Sequence, residues 1–198
     1  MTATSVLDAV PAAPPAAGAA LVEARDLTRI WGRGSAAEIG ITGVDLDIHR
    51  GELVAVIGPS GSGKSTLGAL IAGIDNPTSG SLVVDGVRID KMKPDRLAAW
   101  RGATVGIVFQ DFHLLPTLTA IENVELAIEL GGSGAGRRLR HRAAQRALDL
   151  VGLADFARKL PAQMSGGEQQ RVGIARAMVT KPPLIVADEP TGSLDQSN

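Results

Sequence analysis

Leu53-Val54-Ala55-Val56-Ile57-Gly58-Pro59-Ser60-Gly61-Ser62-Gly63-Lys64-Ser65-Thr66 is the stretch on which the fold turns. Its first five residues are apolar throughout, which predicts a strand buried on both faces. Gly58 to Ser65 then match the spacing of a glycine-rich loop that wraps phosphates. Leu67, Leu70 and Ile71 follow at helical spacing, and Gly73 ends the run. In a strand–loop–helix unit the glycines let successive backbone N–H groups turn inward around the α and β phosphates, and the helix start adds its positive dipole end. Lys64 is placed to bridge the β and γ phosphates, and the Ser65 hydroxyl to hold Mg²⁺. A glycine-rich turn that binds nothing would not explain strand, spacing and helix together.

Upstream, Leu21 to Ala24 and the alternating Val44-Asp45-Leu46-Asp47-Ile48 suit short strands, with a turn at Arg50-Gly51. Downstream, Ser81 to Val84 and Val87 to Ile89 flank Asp85-Gly86, a strong hairpin pair. Val105 to Phe109 reads as a short buried strand, and Thr119-Ala120-Ile121-Glu122 has the spacing of a capping box that opens a helix. After a flexible break at Gly131 to Gly136, Arg138, Arg142 and Arg146 share one face of a helix whose other face carries Ala147, Leu148 and Val151. Glu168 to Val179 has helical period, and Leu184-Ile185-Val186-Ala187 is an apolar strand ending on Asp188-Glu189. Strands alternating with helices predict a parallel α/β sheet.

Composition narrows the partners. The 198 residues are 44% hydrophobic and 21% charged, enough for one sizeable core, and the net charge of −1 provides no global attraction to nucleic acid or anionic lipid. With no Tyr, two Trp and three Phe, base-stacking platforms for single strands are scarce, so nucleic acid is not an expected partner. Without Cys there is no disulfide scaffold or thiolate metal site. No run approaches the roughly 20 apolar residues of a membrane-spanning helix. Residues 1–20 hold no basic residue and are broken by Pro11, Pro14 and Pro15, so they read as a disordered leader and not as a signal peptide. Arg137, Arg138, Arg140, Arg142 and Arg146 read as a solvated face with Glu125, Glu129 and Asp149 nearby, and His49, His113 and His141 lack metal-ligand spacing.

A carboxylate at the end of a strand faces the ligand crevice of an open sheet, so Asp188 is expected to orient the metal shell and Glu189 to polarise an attacking water. Water attack points to hydrolysis and not to transfer onto a second substrate.

Met164-Ser165-Gly166-Gly167-Glu168-Gln169-Gln170-Arg171 resembles the signature motif of the ATP-binding cassette (ABC) family, with Met164 and Glu168 replacing the commonest Leu and Gln. Five motifs stand in that family's order: the phosphate loop, Gln110 after the 105–109 strand, the signature, Asp188-Glu189, and Ser193-Leu194-Asp195. The resemblance spans most of residues 21 to 195. It implies an ABC-type P-loop NTPase domain at residues 21–198: a RecA-like parallel sheet core, an N-terminal antiparallel β subdomain and an α-helical subdomain at about 113–163. It also implies ATP and Mg²⁺ as ligands and a second ABC ATPase subunit bound head to tail. Ser165, Gly166, Gly167 and Glu168 would then serve the ATP held by that other subunit. Ser165-Gly166-Gly167 is a helix start with bare backbone donors; a plain cap explains Ser165 but not the glycine pair. Gln110 would touch Mg²⁺ and the catalytic water, and Trp31 stands where the family stacks an aromatic on adenine.

Phe109-Gln110-Asp111-Phe112-His113-Leu114-Leu115-Pro116-Thr117-Leu118-Thr119-Ala120-Ile121-Glu122-Asn123-Val124, with Asp188-Glu189-Pro190-Thr191-Gly192-Ser193-Leu194-Asp195, is similar to the lipoprotein-releasing and macrolide-exporting branch. The cell-division cassette is a close relative. This implies a membrane permease docking near Gln110 to Val124 and a place on the cytoplasmic face of the membrane. The family's histidine beyond the Ser193-Leu194-Asp195 loop has no counterpart by motif order, so the C-terminal strands are expected to be missing. Loss of one positioned donor costs about 2.7 to 4 kcal/mol of transition-state stabilisation, so weak turnover is expected. The alternative is a non-hydrolysing interaction module.

Overall fold

In the computed structural model, which describes residues 20–32, 34–132 and 134–189, the chain opens with strand β1 (Val22–Trp31), paired antiparallel to β2 (Glu38–Ile48). Val22, Ala24 and Leu27 of β1 are buried while Arg25 and Asp26 face outward. The β1–β2 register shifts three times, first at an irregularity between Ala24 and Leu27 and then on either side of Arg29. In the first of these Asp26 adopts φ 49° and its N–H donates to the Asp45 carboxylate at 2.8 Å.

Helix α1 (Lys64–Ile71) follows, capped by left-handed Gly63 and burying Leu67, Leu70 and Ile71. Strands β3 (Ser79–Val84) and β4 (Val87–Arg88) complete a sheet of order β2-β1-β3-β4. Their turn residues Asp85 and Gly86 have φ of 50° and 73°, the double positive φ that an Asp-Gly hairpin needs. Helix α2 (Pro94–Thr104) starts on a proline, whose missing N–H is no loss at a first helical position. It was not legible in the sequence pattern, since Leu97 is its one buried residue.

Strand β5 (Val105–Val108) leads to helices α3 (Ala120–Leu130), α4 (Arg137–Leu150) and α5 (Gly166–Met178), then strand β6 (Leu184–Ala187). β5 and β6 pair in parallel, from Val105 opposite Leu184 to Val108 opposite Ala187. Two apolar clusters result. One joins the antiparallel sheet to α1, α2 and the β5–β6 pair; the other holds α3, α4 and α5 around Val124, Leu148, Leu153 and Val172. Each such Leu or Val contributes about 1.5–3 kcal/mol by leaving water.

Residues 53–57 depart from expectation. They form no strand, and Leu53 and Ile57 are 101% and 90% exposed. A strand persists when its N–H and C=O groups are paired. Among the described residues β5 and β6 pair with each other and no strand lies alongside this segment. The arginine-bearing face of α4 is exposed as expected, with Arg140 3.6 Å from Glu129 and His141 2.6 Å from Glu125. Residues 1–19 of the expected 1–20 leader, and Ser193-Leu194-Asp195, lie outside the described residues.

Candidate nucleotide site

The loop from Gly58 to Gly63 runs over the start of α1. Gly61 and Gly63 have φ of 78° and 88°, and the alternation of left-handed residues points successive amides to one side, as a cradle for an anion requires. Lys64 lies back across this loop, its Nζ donating to the carbonyls of Gly58 at 2.9 Å and Pro59 at 2.8 Å. The ammonium is thus held against the first two carbonyls of the loop. Ser65 Oγ donates to Asp188 Oδ1 at 3.2 Å, so a hydroxyl and a carboxylate 123 residues apart in sequence converge. Hard oxygens of this type suit Mg²⁺.

Parallel pairing explains the convergence. Val108 and Ala187 are opposite each other, and the Asp188 N–H continues the ladder to Val108 O at 3.0 Å. Gln110 and Asp188-Glu189 therefore leave the sheet at the same carboxyl edge, where ligands bind in open α/β sheets. Both Gln110 and Glu189 are exposed there.

The antiparallel sheet props the loop from the other side. A side chain on Gly63 would collide with the Gly40 carbonyl of β2, and one on Gly40 would meet the Trp31 ring at 2.7 Å and the Thr66 methyl at 2.9 Å. Trp31 thus reaches the first turn of α1 across Gly40. It is partly exposed, and the Arg29 guanidinium lies 5.4 Å from its ring centre.

The signature residues belong to the helical cluster. Ser165 caps α5: Glu168 N donates to Ser165 Oγ at 3.3 Å, and Ser165 N donates to Glu168 Oε2 at 2.7 Å. That backbone hydrogen bond from Ser165 holds the Glu168 carboxyl below the usual glutamate range. Ser165 and Gly166 stay exposed, leaving the helix start open. No contact joins these residues to the Lys64 loop among the described hydrogen bonds.

Two further residues shape the site and were not singled out by sequence. Buried Asn123 donates to the carbonyls of Leu115, Leu118 and Thr119 and accepts from Leu115 N, which fixes the loop after Gln110. Arg176 donates to the carbonyls of Phe112 at 2.7 Å and His113 at 2.5 Å. A lone arginine inside Val172-Gly173-Ile174-Ala175-Arg176-Ala177 was the available signal.

Loop, carboxylate edge and helix cap together define a phosphate-loop α/β nucleotide-binding cassette. Comparison with known proteins agrees: the ABC transporter family profile matches residues 41–192, and the chain belongs to that family. It is 53% identical over 152 residues to the uncharacterized ABC transporter ATP-binding protein YknY of Bacillus subtilis, a match covering 77% of this chain and 65% of that protein. It is 44% identical over 178 residues to the macrolide export ATP-binding/permease protein MacB of Marinobacter nauticus, covering 90% of this chain and 27% of that one. The solved dimer of the ATP-binding cassette MJ0796, in a post-hydrolysis state bound to ADP and Pi, superimposes with a TM-score of 0.83 at 41% identity, over 88% of this chain and 76% of that chain.

Proposed function

We propose that this chain is the ATP-binding and ATP-hydrolysing subunit of an ABC transporter that powers export or extraction by a permease of the lipoprotein-release or macrolide-export type. The observation that carries the reading is the Ser65–Asp188 hydrogen bond beneath the Lys64 loop. It unites the phosphate loop with the carboxylate edge of the sheet.

In this reading the phosphates sit in the loop Gly58-Pro59-Ser60-Gly61-Ser62-Gly63 and at Thr66, where every residue but Pro59 offers a backbone N–H, and Lys64 exchanges its two carbonyl partners for β and γ oxygens. Ser65, Asp188 and Gln110 would hold Mg²⁺, which when bound offsets phosphate charge. Glu189 accepts the proton of an attacking water, and Trp31 stacks on adenine. Ser165 to Glu168 receive the γ phosphate of ATP on a second subunit, bound head to tail. The helical subdomain at about 113–163 carries the permease contact near Gln110 to Val124. A concavity of about 520 Å³ lined by Phe109, Leu115, Leu126 and Arg176 supports that contact. The described residues contain no helix long and apolar enough to cross a membrane, and the permease would hold the chain at the cytoplasmic face.

The alternative reading is a non-hydrolysing or weakly active ATP-dependent interaction module. Calorimetric titration with Mg-ATP, paired with a phosphate-release assay on the parent and Glu189→Gln, separates the two. Turnover abolished by Glu189→Gln with binding retained supports hydrolysis. Binding with no turnover in either supports the module. Absence of binding rejects both.

A further inference from the structure

Helix α4 carries a stripe of charge that the nucleotide site does not use. Residues 137–146 hold five Arg and no Asp or Glu, in a chain whose net charge is −1. Arg138, Arg142 and Arg146 stand four residues apart and are exposed, a rise of about 12 Å from first to last. Among the described ion pairs none of the three meets a carboxylate. The nearby acids are engaged elsewhere, Glu129 with Arg140 at 3.6 Å and Glu125 with His141 at 2.6 Å, and Asp149, exposed beyond Arg146, is the one acidic residue of α4 itself. Like charges at a spacing of four repel, so the stripe weakens the helix that bears it.

Beside the stripe the surface is concave and apolar. Ile128 of α3, Ala143 of α4 and Val179 at the end of α5 line a concavity of about 500 Å³, which they share with the exposed Leu139, Arg142 and Arg146. Leu139 is 62% exposed, and Leu130, next to Gly131 of the same lining, is 69% exposed. Guanidinium groups and apolar side chains thus share one surface, the combination that meets headgroup phosphates and the first acyl carbons together. Nucleic acid offers phosphates without that apolar layer, and no aromatic side chain lines the concavity to stack a base. Arg138 lies outside the lining. The charge therefore runs past the space that a bound peptide would fill and suits a broad anionic plane.

We propose that Arg138, Arg142 and Arg146, with Leu139, form a docking surface for the anionic face of a phospholipid bilayer. The inference goes beyond the nucleotide reading and does not depend on it. Thr180 lines both this concavity and the one beside Phe109 and Leu115, so on the permease reading the two membrane contacts adjoin.

Flotation of the 198-residue chain with vesicles tests this. One set of vesicles is phosphatidylglycerol and phosphatidylcholine in equal parts, the other phosphatidylcholine alone. The parent is expected to float with the mixed vesicles at low ionic strength, to stay behind with the neutral ones, and to be released as salt screens the charges. Each basic residue near an anionic surface is worth about fivefold, so Arg138→Gln, Arg142→Gln and Arg146→Gln together should weaken binding about 100-fold. Arg138→Lys, Arg142→Lys and Arg146→Lys together should preserve it, because a bilayer surface reads charge and not the guanidinium fork. Leu139→Gln, which alters no charge, should weaken it several-fold. The control removes equal charge from another exposed basic group, Lys91→Gln, Lys93→Gln and Arg96→Gln, and should stay within about fivefold of the parent. No flotation with the mixed vesicles, equal flotation with the neutral ones, or an equal loss in the control overturns the proposal. So does a loss in the Lys variant to match the Gln one, or unchanged binding in Leu139→Gln. Binding to soluble polyglutamate that needs the three arginines while vesicles are ignored would make the surface a peptide site and overturn it too. Nucleotide enters nowhere in this test, so its failure leaves the ATP-binding reading standing.

Discussion

Ser65 and Asp188, 123 residues apart in sequence, are joined by a 3.2 Å hydrogen bond from the hydroxyl to the carboxylate. The bond crosses from the first turn of α1 to the end of β6, at the edge where Gln110 also emerges. If the pair serves one metal ion, removing either group should abolish the same increment of affinity. Ser65→Ala and Asp188→Asn are each expected to leave ATP affinity in EDTA unchanged and to cut the gain from Mg²⁺ by about 10- to 100-fold, the range for hydrogen bonds to charged groups. The double variant should lose little more than either single one. Titration calorimetry with and without Mg²⁺ decides this, and an undiminished Mg²⁺ effect in both variants would refute it.

Gly63 tests whether the antiparallel sheet supports the loop. Its φ of 88° alone would cost about 1–2 kcal/mol for alanine. A Cβ there would also run into the Gly40 carbonyl and lie 2.5 Å from the Ile41 Cγ2 methyl. Gly61 is a matched control, at φ 78° with open space around it. Gly63→Ala should lower the melting temperature clearly more than Gly61→Ala and weaken ATP binding as well. Equal losses in the two variants would mean that the sheet does not prop the loop.

How far these features were readable from sequence varies with the range of the interaction. The capping box at Thr119-Glu122, the helix start at Ser165, the Asp85-Gly86 hairpin and the glycine loop are local devices, each specified within a few residues, and each stands where expected. Residues 53–57 were misread because apolarity reports a wish for burial and not the presence of a partner strand. Helix α2 escaped notice because a surface helix with one buried residue has no periodic stripe. The Arg176 grip on Phe112 and His113 joins residues more than sixty positions apart, which no spacing rule reaches.

Trp31 should report nucleotide optically. The other tryptophan, Trp100, packs against Gly73 within the apolar cluster, so Trp100→Phe leaves Trp31 as a single emitter at the mouth of the loop. ATP is expected to change its emission intensity or maximum, and Trp31→Ala in the parent should weaken ATP binding by about 1–3 kcal/mol, the worth of one stacked base. GTP would stack as well, so discrimination between the two need not change. Unaltered emission under saturating ATP would place the base elsewhere.

Acid stability should carry the mark of the two capping boxes. The Thr119 hydroxyl, with its backbone N–H, holds Glu122 below the usual glutamate range, as the Ser165 N–H does Glu168. A carboxyl whose folded pKa is depressed contributes stability above its unfolded pKa, about 4.3, and loses it as pH falls through the folded value. Melting temperature should therefore drop from about pH 4.5 downward, and Glu122→Gln with Glu168→Gln should flatten that drop. Ser165→Ala removes the helix cap itself, at about 1 kcal/mol, or about 2–4 °C for a chain of this size. A parallel shift of the whole pH profile in the Glu double variant would show that the caps do not set its slope.

The exposed run Leu53-Val54-Ala55-Val56-Ile57 has a cost in solution. Apolar side chains beside unpaired backbone N–H and C=O groups are a template for edge-to-edge association. The 198-residue chain is thus expected to bind a hydrophobic dye and to scatter light increasingly with concentration. Leu53→Lys with Ile57→Lys removes the two most exposed apolar groups of the segment and adds charge that opposes pairing. Because neither side chain touches the core clusters, the double variant should suppress both signals while leaving the melting temperature within about 2 °C, as surface changes do. A large destabilisation would instead mean that these residues are buried in solution, with a strand laid against them, and the 53–57 segment would then be the interior strand its composition predicts.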